Sequence, residues 1–150
     1  MANNYTQGVY TPQNAEKYIG KHLPKYRSGW ELQFMRMCDK NPSILAWASE
    51  SHRIPYNNPL TGKASSYVPD FLIVYEDANG KKHAELIEIK PSSQIIGNAK
   101  TTHDQAHAVV NEAKWQMARL WCKKQGLEFR IITENEMFRN QPKRASRRKR

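Results

Sequence analysis

Two apolar, β-forming runs flank an Asn-Gly pair: SYVPDFLIVY at 66–75 and HAELIEIK at 83–90, with Glu76-Asp77-Ala78-Asn79-Gly80 between them. Such runs joined through Asn-Gly are a strong hairpin signal, because these residues accept the positive φ angles of tight turns. A turn around residues 78–80 brings Asp70 opposite the neighbourhood of Glu88. Opposed side chains share a sheet face about 5 Å apart at Cβ. Glu88 and Lys90, two positions apart on one strand, share that face as well. The spacing therefore predicts two carboxylates and an ammonium at one end of a sheet, among Leu72, Val74, Leu86 and Ile87.

The rest of the chain supplies elements for such a sheet to pack against. Residues 1–27, punctuated by Gly8, Pro12, Gly20 and Pro24, show no sustained periodicity and read as an arm laid on the domain. Ser28 opens a helix whose apolar face is Trp30, Phe34, Met37 and Cys38, and Asn41-Pro42 ends it. ILAWASESHRIPYN at 44–57 holds one or two short strands, and Asn58 to Gly62 forms a turn. A loop over 92–102 leads to a long helix from about Thr102 to Lys124. Its inner stripe reads Ala106, Val110, Ala113, Met117, Leu120 and Trp121, with Gly126 as the stop. LEFRIIT at 127–133 is a further strand. The order predicts one α/β domain, with a mixed β-sheet flanked by helices, over residues 28–138. It follows the arm at 1–27 and precedes a basic tail at 139–150.

Charge points to the partner. The 150 residues hold 24 Lys and Arg against 14 Asp and Glu, a net charge of +10. Six of those cations, and no acid, fall in 143–150: Lys143, Arg144, Arg147, Arg148, Lys149 and Arg150. The remaining chain is only mildly basic. A polyanion, with DNA foremost, is the expected partner. No apolar run approaches the length of a membrane span, and the N-terminus lacks the basic start and apolar centre of a signal peptide. Cys38 and Cys122 have no neighbours at zinc-ligand spacing, so the expected setting is a reducing cytoplasm.

Ionised groups among apolar strands need a partner. Oxygen ligands from two strands suit Mg²⁺, with Mn²⁺ as an alternative, since Mg²⁺ takes one or two carboxylates and keeps waters and substrate phosphates. Such an ion lowers the pKa of a bound water and offsets charge on a cleaved phosphodiester, while Lys90 orients the water or stabilises the developing anion. The same three residues also suit a strand-end ion pair, and a register slip of one residue sends Asp70 to the other face. Glu31 reads as the N3 member of a capping box with Ser28, a role compatible with facing a metal-bound water.

Asp70 followed by Glu88-Ile89-Lys90, with Glu31 on a preceding helix, resembles the PD-(D/E)xK nuclease superfamily. The segments GVYTPQN at 8–14, KYIG at 17–20, SGWEL at 28–32, NPLTG at 58–62 and PDF at 69–71 resemble the head completion nucleases of T-even-type bacteriophages. That resemblance covers most of the chain. The hairpin and flanking helices alone are similar to transposon end-cleaving endonucleases. The resemblance implies a restriction-endonuclease-like core and metal-dependent DNA cleavage; the expected activity is endonucleolytic, with exonuclease action also open, and of little sequence specificity. It also implies a role in finishing the filled capsid, with capsid or neck proteins as partners, in the host cytoplasm or the virion. It makes Asp70 and Glu88 metal ligands assisted by the Ile89 carbonyl, Lys90 the catalytic lysine and Glu31 the helical glutamate of the active site.

Two other readings remain open in the sequence: a non-catalytic DNA-binding or capsid-joining protein, and a structure-selective nuclease such as a junction resolvase. His103 and His107, one helical turn apart, read as a solvated face rather than a metal site, because no third ligand is placed. Lys114, on the helix after the Glu88-Ile89-Lys90 strand, is placed to contact phosphate but reads better as an exposed lysine, and Trp115 and Trp121 read as core rather than base-stacking platforms.

Overall fold

The computed structural model describes residues 7–95 and 100–139. Its elements in chain order are β1 (Gly8–Val9), β2 (Lys25–Tyr26), α1 (Gly29–Lys40), β3 (Ile44–Ser49), β4 (Ile54–Asn57), β5 (Ala64–Tyr67), β6 (Phe71–Glu76), β7 (Lys82–Ile89), α2 (Thr102–Gln125), β8 (Glu128–Ile132) and α3 (Glu134–Arg139). The central sheet runs β3-β6-β7-β8, antiparallel except for the parallel β7–β8 pair. The parallel pair needs a long crossover, and α2 supplies it.

Side-chain alternation divides this sheet between two cores. Phe71, Ile73, Ile87, Ile89 and Ile132 pack with Phe34, Met35 and Cys38 of α1. Leu72, Leu86, Phe129 and Ile131 pack instead with Trp115, Ala118 and Cys122 of α2. With both faces covered, β7 is buried continuously from Glu85 to Ile89. The turn before it is built as the sequence predicts: Gly80 takes φ 80°, and Asp77 Oδ1 accepts from the backbone of Asn79 and Lys81.

Ser28 caps α1 through Glu31 N–H, and Gly126 closes α2 in the left-handed conformation. The faces these helices bury differ from the sequence reading. In α1 Met35 is wholly buried and Met37 is exposed. In α2 the buried stripe is Ala108, Asn111, Trp115, Ala118 and Cys122, while Met117 and Leu120 face outward. Small residues let α2 lie close to the sheet, and their low hydrophobicity hid the stripe from a search for large apolar side chains.

The run 66–75 is also not one strand. Tyr67 ends β5, which pairs with β4 in a separate two-stranded sheet, and buried Pro69 turns the chain before β6 begins. A proline cannot donate to a sheet ladder, so it suits this corner. The β4–β5 ribbon packs its Ile54, Tyr56 and Tyr67 into the α2-side core.

Residues 8–26 close their own β1–β2 ladder and meet α1 at Asp39, whose side chain is wholly buried. Its carboxylate accepts from the Tyr10 hydroxyl (2.6 Å) and from the backbone N–H groups of Gln13 (2.7 Å) and Asn14 (2.9 Å). Those donors hold its pKa below the usual carboxylate range against the opposing effect of burial. Cys38 and Cys122 are buried free thiols, and no described helix is long and apolar enough to cross a membrane. The basic run at 143–150 lies outside the described residues.

Candidate active site

The β6–β7 register sets Phe71 opposite Ile87 and Leu72 opposite Leu86. One step before Phe71, Asp70 therefore lies across from Glu88, as the hairpin spacing predicts. The two carboxylates are anchored differently. Asp70 Oδ2 accepts from Ile89 N–H at 2.8 Å, and Glu88 Oε1 accepts from the Tyr67 hydroxyl at 2.6 Å. Lys90 Nζ lies 3.5 Å from Glu88 Oε2. Its backbone N–H is fixed by Ile132 O at 3.0 Å, which carries β7 past its last strand residue.

Glu31 reaches the same end of the sheet from the first turn of α1. Its backbone N–H donates to Ser28 Oγ at 3.2 Å, the expected half of the capping box. The reciprocal half is displaced by one residue, since Glu31 Oε1 accepts from Arg27 N–H at 3.0 Å rather than from Ser28. Arg27 is ion-paired with Glu50. Glu50 follows β3 with φ 51°, a left-handed conformation that costs a non-glycine residue free energy. Its N–H donates to Asp70 O at 2.9 Å, which ties that turn to the corner carrying Asp70.

Electrostatics gives this cluster its character. Burial raises the pKa of Asp70 well above the usual carboxylate value, and the charges of Glu88 and Glu31 raise it further; the Ile89 N–H bond and Lys90 act the other way. Glu88 is also raised by burial, against Lys90, the Tyr67 bond and Lys114. Glu31 is raised by burial too, against Arg27. Three carboxyls thus converge where their anions are disfavoured, a pattern common at functional sites. Among the described residues no group of three or more His, Cys, Asp and Glu side chains is gathered at metal-binding spacing. Asp70 and Glu88 form a pair, and each spends one oxygen on a fixed donor.

Sequence reasoning missed Tyr67 and preferred an exposed setting for Lys114. Tyr67 was hidden because 66–75 reads as a single strand. Lys114 is half-buried rather than exposed: its Nζ sits 5.6 Å from the Tyr67 ring centre and 5.8 Å from that of Tyr56. Its flank position beside the Asn111–Trp115–Ala118 stripe is legible only once that stripe is known. His103 and His107 are exposed, with ring centres 4.3 Å apart. Trp115 is core, and Trp121 packs at its margin against His52.

A separate cavity of about 830 Å³ opens on the α1 side of the sheet, lined in part by Phe34, Met37, Tyr75, Glu85, Arg130 and Met137. Glu85, buried at its wall, bonds to the Tyr75 hydroxyl and Arg130 Nε. None of Glu31, Asp70, Glu88 and Lys90 lines it. The carboxylate cluster, not this cavity, carries the arrangement suited to chemistry.

Comparison with known proteins identifies the family. The family model described as TnsA-like endonuclease N terminal matches residues 41–134, a span that includes Asp70, Glu88 and Lys90. The head completion nuclease of Enterobacteria phage T4 is 37% identical over 142 residues, covering 85% of this chain and 91% of that protein. A mixed sheet between helices fits the restriction-endonuclease-like core such enzymes share. The chain therefore belongs to the TnsA-like endonuclease family, a branch of the PD-(D/E)xK nucleases.

Proposed function

We propose that this nuclease is a Mg²⁺-dependent DNA endonuclease of low sequence specificity, built on Asp70, Glu88, Lys90 and Glu31. The observation that carries the reading is the pairing of Asp70 and Glu88 across β6–β7, with Lys90 beside them and each carboxylate held through one oxygen. That donor set fits a hard cation which needs only one or two carboxylates and keeps its remaining positions for water and phosphate. Asp70, Glu88 and the Ile89 carbonyl are the groups to hold it. When bound, the cation makes water a stronger acid and offsets negative charge on the phosphate.

The chain's own residues supply orientation. Ile89 N–H and the Tyr67 hydroxyl fix the two carboxylates before substrate arrives. Burial and the negative charge of Glu88 push the Tyr67 hydroxyl pKa upward, so it remains a donor. The Lys90 ammonium, beside Glu88 Oε2, would donate to the phosphate oxygen that gains charge as water adds to phosphorus. Glu31 accepts a proton from the attacking water, a task favoured by a raised carboxyl pKa. The bond from phosphorus to the leaving oxygen breaks, that oxygen takes a proton from solvent water, and the products are a phosphate monoester and a hydroxyl. The likeness to a head completion nuclease supports a reading in which this activity acts on packaged DNA during phage head completion, before tail joining, with capsid or neck proteins as neighbours. The tail residues Lys143 to Arg150 add affinity without sequence preference.

The test is plasmid nicking by the full chain. Wild type cleaves supercoiled DNA in Mg²⁺ and not in chelator, while Glu88→Gln and Lys90→Met lose at least about 100-fold in rate, the scale on which one general acid–base or electrostatic group contributes. Cleavage that persists in chelator, or in Glu88→Gln, overturns the assignment. A folded wild type that binds DNA and never cleaves it points to the non-catalytic reading.

A further inference from the structure

The site contains a cation that the proposed chemistry does not use. Lys114 projects from α2 at the flank of its buried stripe and is half-covered. Its ammonium lies over two aromatic faces, Tyr67 of β5 and Tyr56 of β4. Tyr67 is the residue whose hydroxyl holds Glu88, and the charge of Lys114 is felt at Glu88. Among the described residues Lys114 forms no salt bridge. Ring faces attract an ammonium and fix its position without satisfying its three N–H donors. A lysine held this way beside acidic groups keeps its donors for an incoming anion.

A DNA strand reaching this site must bring phosphates up to Asp70, Glu88 and Glu31, all carboxylates, with Lys90 already engaged by Glu88. A second cation on the Tyr67 flank relieves that repulsion. We propose that Lys114 is a substrate-contacting residue, its ammonium donating to a non-bridging phosphate oxygen of the bound strand from the platform formed by Tyr56 and Tyr67. The inference rests on the reading of the carboxylate cluster as the nuclease site. It gives the β4–β5 ribbon a purpose: the ribbon supplies both the platform for Lys114 and the hydroxyl for Glu88.

The experiment measures binding of a short DNA duplex to the full chain in chelator, across a salt series, for wild type, Lys114→Met and Lys114→Arg. Loss of one phosphate contact reduces the slope of log K against log salt by about 0.9 and weakens binding about 8-fold at 0.1 M salt. Lys114→Met is expected to show both changes, and Lys114→Arg to restore the wild-type slope. Circular dichroism confirms that each variant is folded, and Lys114→Gln stands in if the methionine variant is not. A folded, charge-removed variant with an unchanged slope overturns the inference, even if its cleavage rate has fallen. Failure of the nuclease reading shows itself elsewhere, as wild type that does not cut DNA in Mg²⁺.

Discussion

Replacing Asp70 with asparagine is expected to stabilise the metal-free protein while removing its activity. Asparagine is isosteric and keeps an oxygen for Ile89 N–H, so the 2.8 Å bond that anchors the side chain survives. What disappears is a negative charge held near Glu88 and Glu31 and disfavoured by burial. Two like charges about 5 Å apart, the spacing of opposed side chains, repel by about 3 kcal/mol at an effective dielectric of 20. Lys90 offsets part of this, which leaves about 1–2 kcal/mol. For a chain of this size each kcal/mol moves Tm by about 2–4 °C, so the expected gain is about 2–8 °C at pH 7.5. The sign follows from linkage. A carboxyl whose folded pKa is raised contributes its full stability below the unfolded pKa and loses it as pH rises through the folded value. Wild type therefore carries the penalty at neutral pH and sheds it near pH 4, where the two proteins should melt together. Scanning calorimetry in chelator at both pH values measures this. Added Mg²⁺ should raise the Tm of wild type and not of Asp70→Asn, because a ligand of the native state stabilises by mass action. A Tm gain equal at pH 4 and pH 7.5, or no gain at either, refutes the electrostatic account of the site.

Three further outcomes follow from other parts of the molecule. Asp39→Ala leaves the Tyr10 hydroxyl and the N–H groups of Gln13 and Asn14 without their acceptor, so urea denaturation should show a loss of about 2–4 kcal/mol. Because the Asp39 pKa is lowered in the fold, its contribution is present above the usual carboxylate pKa and lost as pH falls through the folded value; the Asp39→Ala deficit should shrink in acid. Tyr67→Phe removes the donor on Glu88 Oε1 and should lower kcat for DNA cleavage about 10-fold or more with little change in DNA affinity, measured by single-turnover cleavage and binding. Deleting 143–150 should flatten the salt dependence of DNA binding by up to about 5 in slope, as six phosphate contacts would require, and leave cleavage of saturating DNA unchanged.

The β6–β7 hairpin was legible because its signals are local. Asn79-Gly80 sets the turn, the flanking runs set the strands, and the register brings Asp70 to Glu88 without knowledge of the rest of the fold. The helix ends were legible for the same reason, through Ser28 before α1 and Gly126 after α2. What the sequence concealed depends on tertiary partners. Pro69 divides a run that looks continuous, so Tyr67 belongs to a different sheet from Asp70. The buried face of α2 is set by close approach to the sheet, which favours Ala108, Ala118 and Cys122 over the larger Met117 and Leu120. The half-buried setting of Lys114 was hidden with that stripe. Asp39 carries no sequence mark as the acceptor for residues 10–14, because its donors are backbone groups and a tyrosine from a segment without periodicity.

On the proposed reading, Asp70 and Glu88 together form a divalent-cation site. Electron paramagnetic resonance of Mn²⁺ titrated into the full chain, with proton release followed in parallel at pH 6, tests it most directly. Metal binding competes with protons at carboxyls whose pKa values are raised. Saturable Mn²⁺ binding with proton release is expected in wild type, both lost in Asp70→Asn and Glu88→Gln and both suppressed by excess Mg²⁺. Mn²⁺ binding of wild-type strength in folded Asp70→Asn, or none in wild type at millimolar metal in the presence of DNA, would contradict it.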